Sequence, residues 1–109
     1  MIEFYSDRVH AHALPGGAPW GEAAAASISG ANSPGRKRVR IDGRSVTVGD
    51  LAFGPVSRVG VTVPLFKREC TMVFEGRFGG GSAHVHITAR SNYRDVFAAL
   101  TSWRDAGSL

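Results

Sequence analysis

Short segments in which apolar and polar residues alternate, separated by turn residues, fill residues 36 to 89. Alternation places every second side chain on the same face of a strand, so that face can be buried. The apolar positions of the last two segments form two inward rows: Cys70, Met72, Phe74 and Phe78, then Val85, Ile87 and Ala89. This pattern predicts a small antiparallel β-sheet or a partly closed barrel.

Glycine-containing turns separate the predicted strands. Asp42 and Gly43 form a strong hairpin signal, because glycine accepts the positive φ that tight hairpin turns need. Gly49 with Asp50 predicts a second turn, and residues 79–82 (GGGS) predict a third hairpin loop. That last run leads into a strand and has no following lysine, so it lacks the features of a phosphate-binding loop.

One amphipathic helix is predicted over residues 92–106. Its apolar residues recur at helical spacing and should pack against the sheet: Tyr93, Val96, Phe97, Leu100 and Trp103. Ser91 or Asn92 can cap its start, and Gly107 is placed to end it. The expected fold is therefore α+β, with a small sheet or partly closed barrel capped by one C-terminal helix.

The N-terminal third has weaker signals. Residues 2–13 resemble an irregular edge strand, a Pro- and Gly-rich break is expected at residues 15–19, and a short helix is expected over residues 22–28. Residues 29–35 have the composition of a loop. We expect one domain over residues 1–109, in which residues 1–35 form a strand plus an arm and residues 36–107 form the strand meander and helix.

Composition narrows the protein class. The apolar share of 43% and the charged share of 20% are typical of a globular domain. No run approaches the roughly 18 apolar residues of a membrane-spanning helix. The single cysteine, Cys70, lies at an apolar strand position, and early Glu3 and Asp7 do not fit a secretion signal. A buried, reduced thiol in a cytoplasmic protein is the simplest interpretation.

The net positive charge is concentrated in one hairpin. Residues 36–44 carry five basic residues and one acidic residue, whereas the rest of the chain carries eight of each. Closely spaced cations are suited to phosphate groups, so we predict an anion site formed by Lys37, Arg38, Arg40 and Arg44. The alternative interpretation is a charged edge strand that resists sheet-to-sheet aggregation.

Two His-x-His pairs, His10 with His12 and His84 with His86, form the second candidate site. Residues two apart in a strand point the same way, so neighbouring strands could offer four imidazoles to zinc, copper or nickel. The alternative is ordinary polar surface. Neither Ser82 nor Cys70 has the partners of a catalytic nucleophile, so we expect no catalytic residues, no enzyme activity and no cofactor.

The hairpin at Asp42 and Gly43, the short strands and the single closing helix resemble bacterial pleckstrin-homology-like domains over about residues 36–107. The segment VRIDGRSVTVGDLAFGPVSRVGV is similar to the opening of small members of that family. The resemblance implies a bent sheet capped by the last helix, with binding at the open end or along a strand edge. It also matches Lys37, Arg38 and Arg40 to cations in the first hairpin of phosphoinositide-binding members.

These observations together predict a cytoplasmic, non-catalytic binding or assembly module that contacts a protein or a phosphate-bearing anion through the basic hairpin. Self-association is a further expectation. One alternative is a nucleic-acid-binding protein that uses residues 36–44, although no aromatic residue is interleaved with those cations. The other is a metal-binding protein or enzyme that uses the four histidines.

Overall fold

The computed structural model describes residues 1–14 and 21–108, which form two four-stranded antiparallel sheets and two α-helices. Sheet A has the order β1-β3-β4-β5, with β1 (Ile2–Ser6), β3 (Lys37–Asp42), β4 (Ser45–Val48) and β5 (Leu51–Phe53). Sheet B has the order β2-β8-β7-β6, with β2 (Arg8–Leu14), β6 (Val56–Thr62), β7 (Cys70–Phe78) and β8 (Gly81–Ala89). The helices are α1 (Glu22–Asn32) and α2 (Tyr93–Trp103), and a π-helical turn (Arg104–Ser108) follows α2.

The α+β class is confirmed, but the expected single sheet or partly closed barrel is corrected to two sheets that do not close into a barrel. The short helix expected over residues 22–28 is present as α1, which is longer than predicted (Glu22–Asn32). The predicted arm therefore contributes α1, while the break expected at residues 15–19 lies outside the described residues. None of the described helices is both long and apolar enough to cross a membrane.

The first predicted strand divides at Asp7 into β1 and β2, which belong to different sheets. The buried residues of β1, Phe4 and Ser6, have even numbers, whereas the buried residue of β2, Ala11, has an odd number. The inward-facing phase of the chain therefore reverses between the two strands. Ser6 Oγ donates a hydrogen bond to the Thr88 carbonyl at 2.5 Å, which satisfies its buried hydroxyl. The irregular sequence pattern thus reflects a strand that leaves one sheet and enters the other.

A single hydrophobic core lies between the sheets. It contains the predicted inward rows of β7 and β8, together with Val39, Ile41, Val46, Val48 and Leu51 of sheet A. Cys70 is fully buried there, and burial raises the pKa of its thiol because the thiolate would lose its hydration. The prediction of a buried free cysteine is confirmed.

Each helix packs against strands of both sheets. Helix α1 contacts β2 and β5, and α2 contacts β1, β6 and β7. Val96 and Leu100 of α2 are buried, with Tyr93, Phe97 and Trp103 packed partly buried against the core, as their spacing predicts. The Trp103 indole N–H also donates to the Gly43 carbonyl at 2.8 Å, so α2 contacts the β3–β4 turn.

The helix ends differ from their predicted positions. Helix α1 continues through residues 29–32, which were expected to be a loop, because Ala31 enters the core and Asn32 hydrogen-bonds to β2. Asn92 occupies the N-cap position of α2 with φ 55°, but its side chain makes no capping hydrogen bond. The α-helix ends at Trp103, and Gly107 lies within the π-helical turn instead of ending the helix.

Candidate functional site

The pairing of β1 with β3 places acidic, aromatic and basic side chains together on the outer surface of sheet A. Its register sets Glu3 opposite Arg40 and Tyr5 opposite Arg38. Strand β3 buries Val39 and Ile41, and it therefore exposes the arginines between them. We call the surface formed by Glu3, Tyr5, Arg36, Arg38 and Arg40 the basic face.

Glu3 bridges the two central arginines of the basic face. Arg38 Nη2 lies 2.8 Å from Glu3 Oε1, and Arg40 Nε lies 3.5 Å from Glu3 Oε2. The hydrogen bond from Arg38 lowers the pKa of Glu3, and the same bond raises the pKa of Arg38. All three side chains are well exposed, and ion pairs in water are weak, so another anion can compete with Glu3 for these guanidinium groups.

Tyr5 adds an exposed aromatic ring to the basic face. Its relative exposure is 45%, and the Arg36 guanidinium carbon lies 4.4 Å from the ring centroid. This contact is a cation–π interaction. The sequence interpretation missed Tyr5, because its position beside the cations depends on the pairing of two strands that lie far apart in the chain. The signal available in the sequence was that Tyr5 follows Phe4 in a strand, so the two side chains point to opposite faces.

Lys37 and Arg44 are placed differently from Arg38 and Arg40. The Lys37 ammonium donates to the carbonyls of Ser33 and Gly35 at 2.7 and 3.2 Å, and it also approaches the Pro34 carbonyl. Arg44 lies in the turn beyond β3, where its carbonyl accepts a hydrogen bond from the Val56 amide at 2.9 Å. Of the four predicted anion ligands, Arg38 and Arg40 thus lie together on the basic face.

Two cavities border the basic face near the start of α2. The larger, of about 460 Å³, is lined by residues of β1 and by Asn92, Asp95 and Val96. The second, of about 380 Å³, includes Arg36 and Arg90 in its lining. Arg36 and Tyr5 line both cavities, so they connect the outer surface of sheet A with these recesses.

The four histidines lie together on the outer surface of sheet B. Strand β2 pairs with β8 so that His10 faces His86 and His12 faces His84. The ring centroids of His12 and His84 are 5.2 Å apart, and those of His10 and His86 are 6.4 Å apart. As the side chains stand, no three His, Cys, Asp or Glu groups in residues 1–14 and 21–108 are placed to hold one metal ion.

The loop between β6 and β7 presents two fully solvated apolar side chains, which the sequence interpretation also missed. Leu65 is 84% exposed and Phe66 is 103% exposed. Phe66 has φ 62°, a backbone conformation that is costly for a bulky residue. Strained backbone positions cluster at functional sites, and exposed apolar side chains mark interaction sites, so this loop is a candidate contact surface.

No family model, no curated protein and no solved structure matched this chain in comparisons with known proteins. The function is therefore inferred from the geometry of the described residues.

Proposed function

We propose that this protein is a non-catalytic binding module that holds a phosphate-bearing anion on the basic face. The observation that carries the proposal is the bridge that Glu3 makes between Arg38 and Arg40. A carboxylate held between two guanidinium groups marks a position that favours an anion. The resemblance to pleckstrin-homology-like domains and a cytoplasmic location remain part of this proposal, the latter supported by the free, buried Cys70.

Phosphate suits this position better than a carboxylate does. Positions two apart in a strand are about 7 Å apart, so one phosphate group or two neighbouring ones can reach both arginines. Guanidinium groups donate paired hydrogen bonds to phosphate oxygens, and a phosphate monoester carries more charge than Glu3. Arg36 extends the same positive surface toward the second cavity, where Arg90 also lies.

The test compares two double variants that remove the same charge. Arg38→Gln/Arg40→Gln alters the basic face, whereas Arg58→Gln/Arg77→Gln alters exposed arginines of sheet B and serves as the control. The probes are inorganic polyphosphate, vesicles that contain phosphoinositides, and a single-stranded oligonucleotide. We expect the first variant to lose polyphosphate binding and the control to keep it. Equal losses in both variants would show that only net charge matters, and they would overturn the proposal.

A nucleic-acid ligand is the second candidate, and Tyr5 is the observation that favours it. Base stacking on an exposed aromatic ring contributes about 1–3 kcal/mol per base, and Tyr5 lies beside the cations that would contact the backbone. Tyr5→Leu separates the two ligands. It should weaken oligonucleotide binding and leave polyphosphate binding unchanged if bases stack there, whereas equal behaviour toward both probes would exclude stacking.

Contact with a protein partner, or self-association, is the remaining part of the proposal. It is supported by the exposed Leu65 and Phe66, which lie next to Lys67 and Arg68 in the β6–β7 loop. Sedimentation of the native protein and of Phe66→Ser tests self-association through this loop. A native protein that remains monomeric at high concentration would exclude it.

A further inference from the structure

We propose that the outer surface of sheet B carries a binding site for a divalent transition-metal ion, with His12 and His84 as its first ligands. This site is separate from the basic face, which lies on sheet A, and it does not depend on the anion proposal. All four histidines of the chain contribute to the same surface. We call this group of residues, His10, His12, His84 and His86, the histidine array.

Two antiparallel pairings fix the positions of the histidine array. The pairing of β2 with β8 sets His12 beside His84, and the pairing of β8 with β7 sets Glu75 on the other side of His84. The adjacent row contains His10, His86 and Val73. Since neighbouring strands are about 5 Å apart, strand pairing alone places the side chains of each row at a distance suited to metal ligands.

The distance between His12 and His84 fits a shared ion. Imidazole nitrogens bind zinc at about 2.0–2.1 Å, and tetrahedral geometry then puts the two ring centroids about 5 Å apart. The observed separation is 5.2 Å, but the rings are stacked, with an interplanar angle of 7°, so one ring must rotate about its side-chain bonds before both nitrogens point at one ion. Two histidine ligands completed by water molecules form an open metal site, so a third protein ligand is not required.

The other members of the histidine array are close enough to strengthen the site. The centroid of His10 lies 6.0 Å from that of His12 and 6.4 Å from that of His86. His10, His12 and His86 are exposed, so a rotamer change, which takes picoseconds to nanoseconds at the surface, can turn His10 or His86 toward an ion at His12.

Glu75 lies beside His84 and can orient it as a metal ligand once a small side-chain rotation brings the two groups within hydrogen-bond distance. Its Oε1 lies 4.0 Å from His84 Nε2, and both side chains are about one-third exposed. A carboxylate beside an imidazole helps to fix the ring and raises the basicity of the nitrogen that binds metal. Arg58, opposite Glu75 in β6, is the nearest cation along the row. Imidazole ligands select zinc, copper or nickel over magnesium or calcium.

The experiment titrates tag-free protein with zinc, copper and nickel by calorimetry, with magnesium as the negative control. Four proteins are compared: the native chain, His12→Gln/His84→Gln, His10→Gln/His86→Gln, and Thr62→Gln, an exposed change in sheet B that removes no imidazole. Copper-induced broadening of the histidine ring resonances identifies the ligands. Melting curves verify that each variant is folded.

We expect one ion per chain at neutral pH in the native protein and in Thr62→Gln. Binding should be lost in His12→Gln/His84→Gln and weakened in His10→Gln/His86→Gln. Binding should also be lost in acid, because protonated imidazole cannot bind metal. The proposal is overturned by no binding to the native protein, by equal binding to the folded His12→Gln/His84→Gln variant, or by one ion shared between two chains.

Discussion

Glu3 determines how much positive charge the basic face presents to a ligand. Its folded pKa is lowered from the ordinary 4.5, first by the hydrogen bond from Arg38 and then by the charges of Arg38 and Arg40. The ion pairs are therefore complete above the ordinary pKa, and their contribution is lost as the pH falls through the lowered value. At neutral pH, Glu3 is ionised and competes with any incoming anion.

Replacing Glu3 with glutamine should therefore tighten the binding of polyphosphate. The Glu3→Gln variant keeps the size of the side chain but removes the competing charge, and we expect an affinity several-fold higher, because exposed charge pairs are weak. Calorimetry at low and high salt measures the change.

The control for this substitution is Asp42→Asn, which removes an exposed negative charge from β3, the strand that pairs with β1. Asp42 makes no ion pair among residues 1–14 and 21–108. If Asp42→Asn tightens binding as much as Glu3→Gln does, the gain comes from overall charge and Glu3 does not occupy the anion position.

At the scale of whole elements, the C-terminus of α1 protects the outer edge of β2. Asn32 Nδ2 donates to the Ala11 carbonyl at 2.7 Å, and its Oδ1 accepts from the Ala11 amide at 2.5 Å. The side-chain amide thus forms the pair of hydrogen bonds that a neighbouring strand would form. Open strand edges pair readily with other chains, so this contact limits aggregation as well as joining α1 to sheet B.

Removing the Asn32 amide should destabilise the protein and expose the edge of β2. For Asn32→Ala we expect a loss of about 1–3 kcal/mol, because a backbone amide and a carbonyl lose their partner in a partly buried place. Asn32→Asp should also destabilise, since a carboxylate cannot donate to the Ala11 carbonyl. Urea unfolding measures both changes, and light scattering measures aggregation.

Ser27→Ala is the control for Asn32→Ala, because Ser27 Oγ donates its hydrogen bond within α1, to the Ala23 carbonyl, at an exposed site. It should change stability by a few tenths of a kcal/mol. An Asn32→Ala protein as stable and as soluble as Ser27→Ala would mean that the contact with Ala11 does not protect β2.

The sequence predicts elements whose signals are local and misses those that depend on distant contacts. The turns at Gly43 and Gly49 and the buried rows of β7 and β8 follow from glycine and alternation alone. The extension of α1 depends on Ala11, and the division of the first strand depends on Thr88, both far along the chain. The same holds for the candidate site on sheet A. The sequence predicts its arginines, whereas the position of Tyr5 beside them depends on the register of β1 against β3.

At the scale of the whole molecule, the two sheets are joined where β5 leads into β6. The Gly54 amide donates to the Arg77 carbonyl at 2.8 Å, and the Arg77 amide donates to the Pro55 carbonyl at 3.3 Å. The connection therefore lies directly against the end of β7. Gly76 allows this close approach, because a Cβ atom there would lie 3.1 Å from both the Pro55 carbonyl oxygen and Val56 Cα.

Gly76→Ala should therefore loosen the junction between the sheets. The added methyl group meets backbone atoms and the Phe53 ring, which cannot move aside without shifting β5 or β6, and overpacking of this kind costs about 1–3 kcal/mol. Gly60→Ala is the matched control in the same sheet, since a Cβ atom there meets nothing within 4 Å. We expect chemical denaturation to show a large loss for Gly76→Ala and little change, or a small gain, for Gly60→Ala. Equal stabilities of the two variants would mean that the two sheets can separate slightly at this corner without cost, so the junction would not be the rigid connection that these contacts indicate.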